Sequence, residues 1–190
     1  MELYIFDSCM VFIIAIIYSL IEIEIEGPEG WAKHLPTTKN FLGHLTLYHF
    51  YMLLFMFCVF IFIFYPRMLV TANSKDKIDL KTIILYAVFY TFAWFLIEDF
   101  LWFVLNPGYT FKNYDGNHIP WHKSWFLGIP TQYYFGFVVI AIVLYLSKSV
   151  VLLKSLGIII LLVLATIVFA PIYHKFYTRN HPLDVLNICN

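Results

Sequence analysis

Five long apolar runs, separated by shorter polar stretches, set the pattern of this chain. Read as membrane-spanning helices, runs of about 18 or more apolar residues place spans at 3–21, 41–64, 83–105, 125–146 and 156–173. Helix breakers fall between them: Gly27, Pro28 and Pro36, then Pro66, then Asn106-Pro107-Gly108. The fourth link, "SKSVVLLKS", is short, which predicts an antiparallel hairpin of the last two helices. The expected fold is therefore all-α: a polytopic integral membrane protein with five transmembrane helices in one bundle, a single domain over residues 1–190. The opening segment has no basic start and no small-residue cleavage site, so it reads as a retained first helix and not a signal peptide. No internal repeat is visible.

Composition agrees with the pattern. Of 190 residues 62% are hydrophobic and 13% charged, where a soluble domain is nearer half apolar and a quarter charged. A net charge of zero gives no reason to expect nucleic acid as a partner. Cys9, Cys58 and Cys189 are scattered and suggest neither disulfides nor a thiolate zinc site.

An odd number of spans puts the chain's two ends on opposite faces. The near face holds the amino terminus, the 65–82 loop and the 147–155 turn. The far face holds loops 22–40 and 106–124 and the tail after Tyr173. All seven histidines lie on or close to the far face: His34, His44, His49, His118, His122, His174 and His181. Trp31, Trp102, Trp121 and Trp125 join them, with Trp94 near mid-membrane. An ordinary aromatic belt decorates both interfaces. The near-side loops are the more densely basic, so the positive-inside rule favours a cytoplasmic amino terminus and an extracytoplasmic histidine-rich face.

Depth then brings polar groups together. In "FLIEDFLWF", Glu98 and Asp99 stand inside an apolar span, at a cost of a few kcal/mol unless they are compensated. A rise of 1.5 Å per residue puts them about 10 Å below the far interface, with His49 and Gln132 near the same level. Glu22, Glu24, His44, His122 and His174 ring the layer above. No Lys or Arg lies deep in a span, which leaves imidazole or a metal ion to balance the acids.

The plain alternative for each acid is a helix-packing hydrogen bond to a Tyr or Thr on a neighbour. Glu98 is the preferred catalytic acid, because Trp94 and Trp102 flank it at four-residue spacing. His44 and His49 are five apart and so about 140° around a helix, which prevents both from being simple ligands of one ion. His118 and His122 have a ligand-like i, i+4 spacing, yet Pro120 fits the first turn of helix four and would leave His118 in the loop. Glu22 and Glu24 follow the first apolar run directly, in a stretch that reads as a strand or a fraying helix end. His174 and His181 read as interfacial, and Asp7 is given no role.

The leading expectation is a small membrane enzyme acting on a lipid or isoprenoid-like substrate. A divalent zinc, iron or manganese ion would be held by a subset of His49, Glu98, Asp99, His118 and His122, with an unligated carboxylate as general base. Trp94, Trp102 and Trp125 would wall the substrate. Three alternatives stand beside it: a metal-free isomerase or cyclase in which Glu98 or Asp99 donates a proton, a proton or metal-ion transporter, and a non-catalytic assembly subunit. The transporter requires polar residues through the near half, where the spans read as mainly Phe, Ile, Leu and Val apart from Asp7.

Overall fold

A computed structural model describes residues 3–26, 40–42, 45–71, 79–109, 111–119 and 122–180. Five helices make up the bundle: α1 (Leu3–Glu26), α2 (Leu47–Thr71), α3 (Leu80–Leu105), α4 (Thr131–Ser147) and α5 (Val150–Asn180). Four are long and apolar enough to cross a membrane, and α4 is a shorter apolar helix of 17 residues, about 25 Å long. The chain is thus a multi-pass, all-α membrane protein, as its hydrophobic pattern predicts. Large side chains such as Phe62, Tyr145 and Val168 point outward from the bundle, where lipid takes the place of water.

Helix α3 is the axis of the fold and touches each of the other four helices. Of its apolar window 56% is buried, against 17–33% for α1, α2 and α5. Its amino terminus is capped by Asp79, whose side chain accepts the Thr82 backbone N–H at 2.8 Å. It stops at Asn106, before Pro107, because the residue preceding a proline is driven out of the helical region. Lipid tails are as apolar as Leu, so burial alone does not hold such helices together. Packing and interhelical hydrogen bonds do, the latter at about 0.6 kcal/mol each on average. The structure supplies them along α3: Tyr86 to Ser149, Tyr90 to Ser155 and Ser19 to the Glu98 carbonyl, while His174 meets the Val104 carbonyl at 3.0 Å.

Helices α1, α2 and α5 run five to seven residues past their expected ends, to Glu26, Thr71 and Asn180, and three helix starts depart as well. Helix α2 starts at Leu47 and not at 41, because Asn40–Leu42 (β1) and Leu45–Thr46 (β2) form a small antiparallel ladder ahead of it. Helix α5 starts at Val150 and not at 156, straight after a turn in which Lys148 adopts a left-handed conformation. The third is α4, which begins at Thr131 and not at 125. Residues before it form a tight hairpin, Trp125–Phe126 (β3) against Ile129–Pro130 (β4), and Pro130, with a fixed φ, launches the helix. Pro120 therefore does not lie in the first turn of α4, and Gln132 is the second residue of that helix and not a residue two turns inside it. The stretch 22–26 is helical, not a strand.

The β3–β4 turn is made by Leu127 (φ 49°) and Gly128 (φ 74°), the positive-φ pair of a type I′ turn, where Asn-Gly is the preferred sequence. Leu127 is 80% exposed and makes up none of the strain by packing. Leu127→Asn is therefore expected to raise thermal stability in detergent, by up to about 1 kcal/mol. A lower melting temperature would contradict this reading of the turn.

Candidate functional site

The ends of α1, α2, α3 and α4 meet on one side of the bundle, and the segment between α3 and α4 folds back over them. Asp99 and Glu98, adjacent in sequence, are about 100° apart on α3 and receive opposite treatment.

Asp99 faces α4. Its carboxylate accepts a short hydrogen bond from the Tyr133 hydroxyl, and His122 Nε2 stands 3.7 Å from the same oxygen. That is ion-pair range, longer than a hydrogen bond. The His122 side chain is 4% exposed and the Asp99 side chain 30%, so the carboxylate opens outward while the imidazole is enclosed. Phe103, Trp125 and Tyr133 pack around the His122 ring, and the Trp125 indole N–H donates to the His122 carbonyl at 3.0 Å. Gln132 completes the setting: its amide nitrogen lies 2.7 Å from His122 Nδ1. An amide nitrogen only donates, so Nδ1 accepts, and in the neutral ring the proton sits on Nε2, towards Asp99.

Glu98 faces α1 and is 2% exposed. It meets the carboxyl group of Glu22, and a hydrogen bond between two carboxyl groups needs a proton on one of them. Glu22 also accepts a short hydrogen bond from Tyr48, whose hydroxyl pairs with that of Tyr18 at 3.0 Å. His49 stacks edge-on between Tyr48 and Phe95 and is close enough to Asp99 and His122 to interact through charge. Eight ionisable or hydroxyl-bearing groups (Tyr18, Glu22, Tyr48, His49, Glu98, Asp99, His122 and Tyr133) thus converge from α1, α2, α3, α4 and the loop before α4, without a Lys or Arg among them.

The other predicted residues divide. Gln132 reaches the site because α4 starts beside it. Trp94 and Trp102 are buried in the bundle, Trp102 against Tyr109, and Trp125 is half-buried over His122. His118 is drawn away: its Nδ1 pairs with the exposed Asp115 carboxylate at 2.9 Å. The backbone N–H of Asn117 and the His118 ring hold that carboxyl below the usual carboxylate range. The contact therefore persists above ordinary carboxylate values and is lost as pH falls through the lowered one. Glu24 is exposed, on the side towards Tyr173. His44 lies outside the described residues, as do His34, His181, Trp31 and Trp121.

Among the described residues no three His, Cys, Asp or Glu side chains come together in an arrangement suited to a metal ion. The donors named from sequence explain why. His118 serves the loop, Asp99 is engaged by Tyr133, and Glu98 by Glu22. Tyr133, Tyr48 and Tyr18 were the residues that sequence reasoning missed. In a chain with 14 Tyr and 20 Phe nothing marks these three, beyond the general expectation that buried acids find a hydroxyl. Compared with known protein families, curated proteins and solved structures, the chain matches none.

Proposed function

We propose that this protein is a membrane-embedded acid–base catalyst, without a metal in its mechanism, acting on a lipid or isoprenoid-like substrate that enters beside Asp99. The observation that carries this reading is the contrast between two neighbouring carboxyl groups. One is open and coupled to an imidazole; the other is sealed against a third carboxyl. Groups whose environments separate their proton affinities are what acid–base chemistry requires.

In this reading the Gln132 side chain turns its amide oxygen to accept from Nδ1–H, His122 moves a proton on and off Nε2, and Asp99 stabilises the imidazolium that forms. Tyr133 keeps the carboxylate turned towards the ring. The proton adds to one carbon of the substrate and a proton leaves another, so the reaction is an isomerisation or cyclisation with no net change in composition. Ring faces of Trp125, Phe103 and Tyr114 line the vicinity of His122 and suit a developing positive charge. A site within about two turns of the helix ends suits a substrate whose polar end stays at the interface.

The test uses the purified protein in vesicles of total membrane lipid. Wild type is expected to convert one lipid class into an isomer of unchanged mass, seen as a new chromatographic peak. Asp99→Asn should slow this by about 100-fold or more. Unaltered lipid profiles with both proteins would overturn the proposal.

A further inference from the structure

Helix α4 starts deeper in the bundle than α3 ends. Two contacts one turn apart fix their antiparallel register: the Tyr133 hydroxyl meets Asp99, and a Cβ on Gly136 would touch the Leu96 side chain. Continued towards the far face, that register sets Thr131 level with Leu101 and leaves the last four residues of α3, about 6 Å, above the start of α4. Those four, Trp102 to Leu105, are apolar and buried, so this level still belongs to the hydrocarbon layer. With 17 residues α4 is about 25 Å long, short of the ~30 Å of a bilayer's hydrocarbon core.

The β3–β4 hairpin occupies that level. It is held against the bundle: the Tyr134 hydroxyl, one turn inside α4, donates to the Phe126 carbonyl at 2.9 Å, and the Ser124 carbonyl accepts the Thr131 backbone N–H at 3.0 Å. Its two faces differ. Trp125 and Pro130 are cross-strand partners on the inward face, with Pro130 buried and Trp125 over His122. Phe126, on the opposite face, is 58% exposed. Beyond it Leu127 stands clear, and a Cβ on Gly128 would meet nothing within 4 Å.

This outward surface continues the one that α4 turns to lipid. The Phe126 ring meets that of Tyr134 at 5.7 Å, and Tyr134 meets Phe137 at 6.0 Å, so a row of rings runs from the hairpin along the outer side of α4. Little in the hairpin would resist hydrocarbon. From Trp125 to Pro130 the only polar side-chain atom is the indole nitrogen, which donates inward to the His122 carbonyl. Pro130 has no N–H, and Tyr134 occupies the Phe126 carbonyl. Exposed polar side chains resume at Lys123 and Ser124. In water Asn would suit the turn better than Leu127; beside acyl chains an apolar side chain is favoured. Melting in detergent reads only the turn's backbone, because detergent tails surround residue 127 before and after unfolding.

We infer that the β3–β4 hairpin is set into the far leaflet, with Phe126 and Leu127 touching lipid acyl chains and completing the span that α4 begins. It forms a wall one strand thick, with Trp125 towards the candidate site and Phe126 towards the bilayer. This placement is independent of any reaction at Asp99.

The experiment puts a nitroxide on Leu127→Cys, and separately on Phe126→Cys, in the full-length protein with Cys9, Cys58 and Cys189 replaced by Ala, reconstituted in phosphatidylcholine vesicles. Collision with oxygen, which dissolves in lipid, is compared with collision with a water-soluble nickel chelate. Labels at Phe137→Cys, outward on α4, and at Asn117→Cys, in the exposed polar loop, give the lipid and water standards. Both hairpin labels are expected to meet oxygen as the Phe137 label does. They should meet the nickel chelate about fivefold less than the Asn117 label, since a polar chelate is excluded from hydrocarbon. Gel filtration and circular dichroism select the folded variants, and two hairpin positions keep the test standing if one fails to fold. A hairpin label as open to nickel as that at Asn117 would overturn the inference. So would one shielded from both reagents, as contact with a second copy of the chain would shield it.

Discussion

Glu98→Gln is expected to leave a folded protein whose melting temperature in detergent is equal to or above that of the parent, yet with lipid isomerisation reduced by about 100-fold or more. Glu98 is buried against Glu22, and two acids at one spot are tolerated only while a proton lies between them. An amide in place of Glu98 donates to Glu22 permanently, so it satisfies the contact at any pH and removes one potential charge from the membrane interior. What it cannot do is release a proton. If Glu98 only packs the α1–α3 interface, Gln should serve nearly as well and activity should survive. If it supplies the proton that His122 spends, activity fails while stability holds. Glu98→Leu is the contrast: it strands Glu22 without its carboxyl partner and should lower stability as well.

A comparably large effect is expected at a residue with no chemistry. Gly136 lies where α4 crosses α3, and a Cβ there would meet two atoms of the Leu96 side chain at 2.9 Å and a third at 3.0 Å. Real Cβ atoms do not approach so closely, so α4 must move or Leu96 must leave its place. Gly136→Val is expected to cost about 1–3 kcal/mol by overpacking. Because Gln132 and Tyr133 ride on the same helix one turn away, the shift also withdraws the two side chains that hold His122 and Asp99. Adding Leu96→Ala should recover much of both losses, since the two changes share one volume. Equal stability of Gly136→Val and wild type would show that the helices do not meet as closely as described.

How much of this was legible beforehand depended on which force set each feature. Helix number, the start of α1 and the end of α3 follow from hydrophobicity alone, and the sequence reads them. The starts of α2 and α4 are set by local turn geometry, at Asn40–Thr46 and at Leu127–Pro130, inside stretches apolar enough to resemble helix. Depth along the spans brought His49, Glu98, Asp99 and Gln132 to one level, and the fold places them at one end. His122 arrives by a different route. It enters from a folded-back loop and not from the first turn of a helix, and nothing in a one-dimensional depth count describes such a return. The near-half contacts were hidden for another reason. Ser8, Tyr90 and Ser155 are neutral and scattered over three helices, so only packing reveals that they meet. Asp7, given no role from sequence, is buried within charge range of Tyr90.

The central claim is that Asp99 and His122 move a proton on and off a carbon of a membrane lipid. Its most direct test is to incubate the protein in vesicles of total membrane lipid made up in heavy water, then weigh the extracted lipids by mass spectrometry. Wild type should place deuterium on carbon in one lipid class, with the label growing over time. Asp99→Asn and His122→Gln should leave that class unlabelled, although both remain folded in detergent. A wild-type protein that introduces no more deuterium than Asp99→Asn would contradict the account.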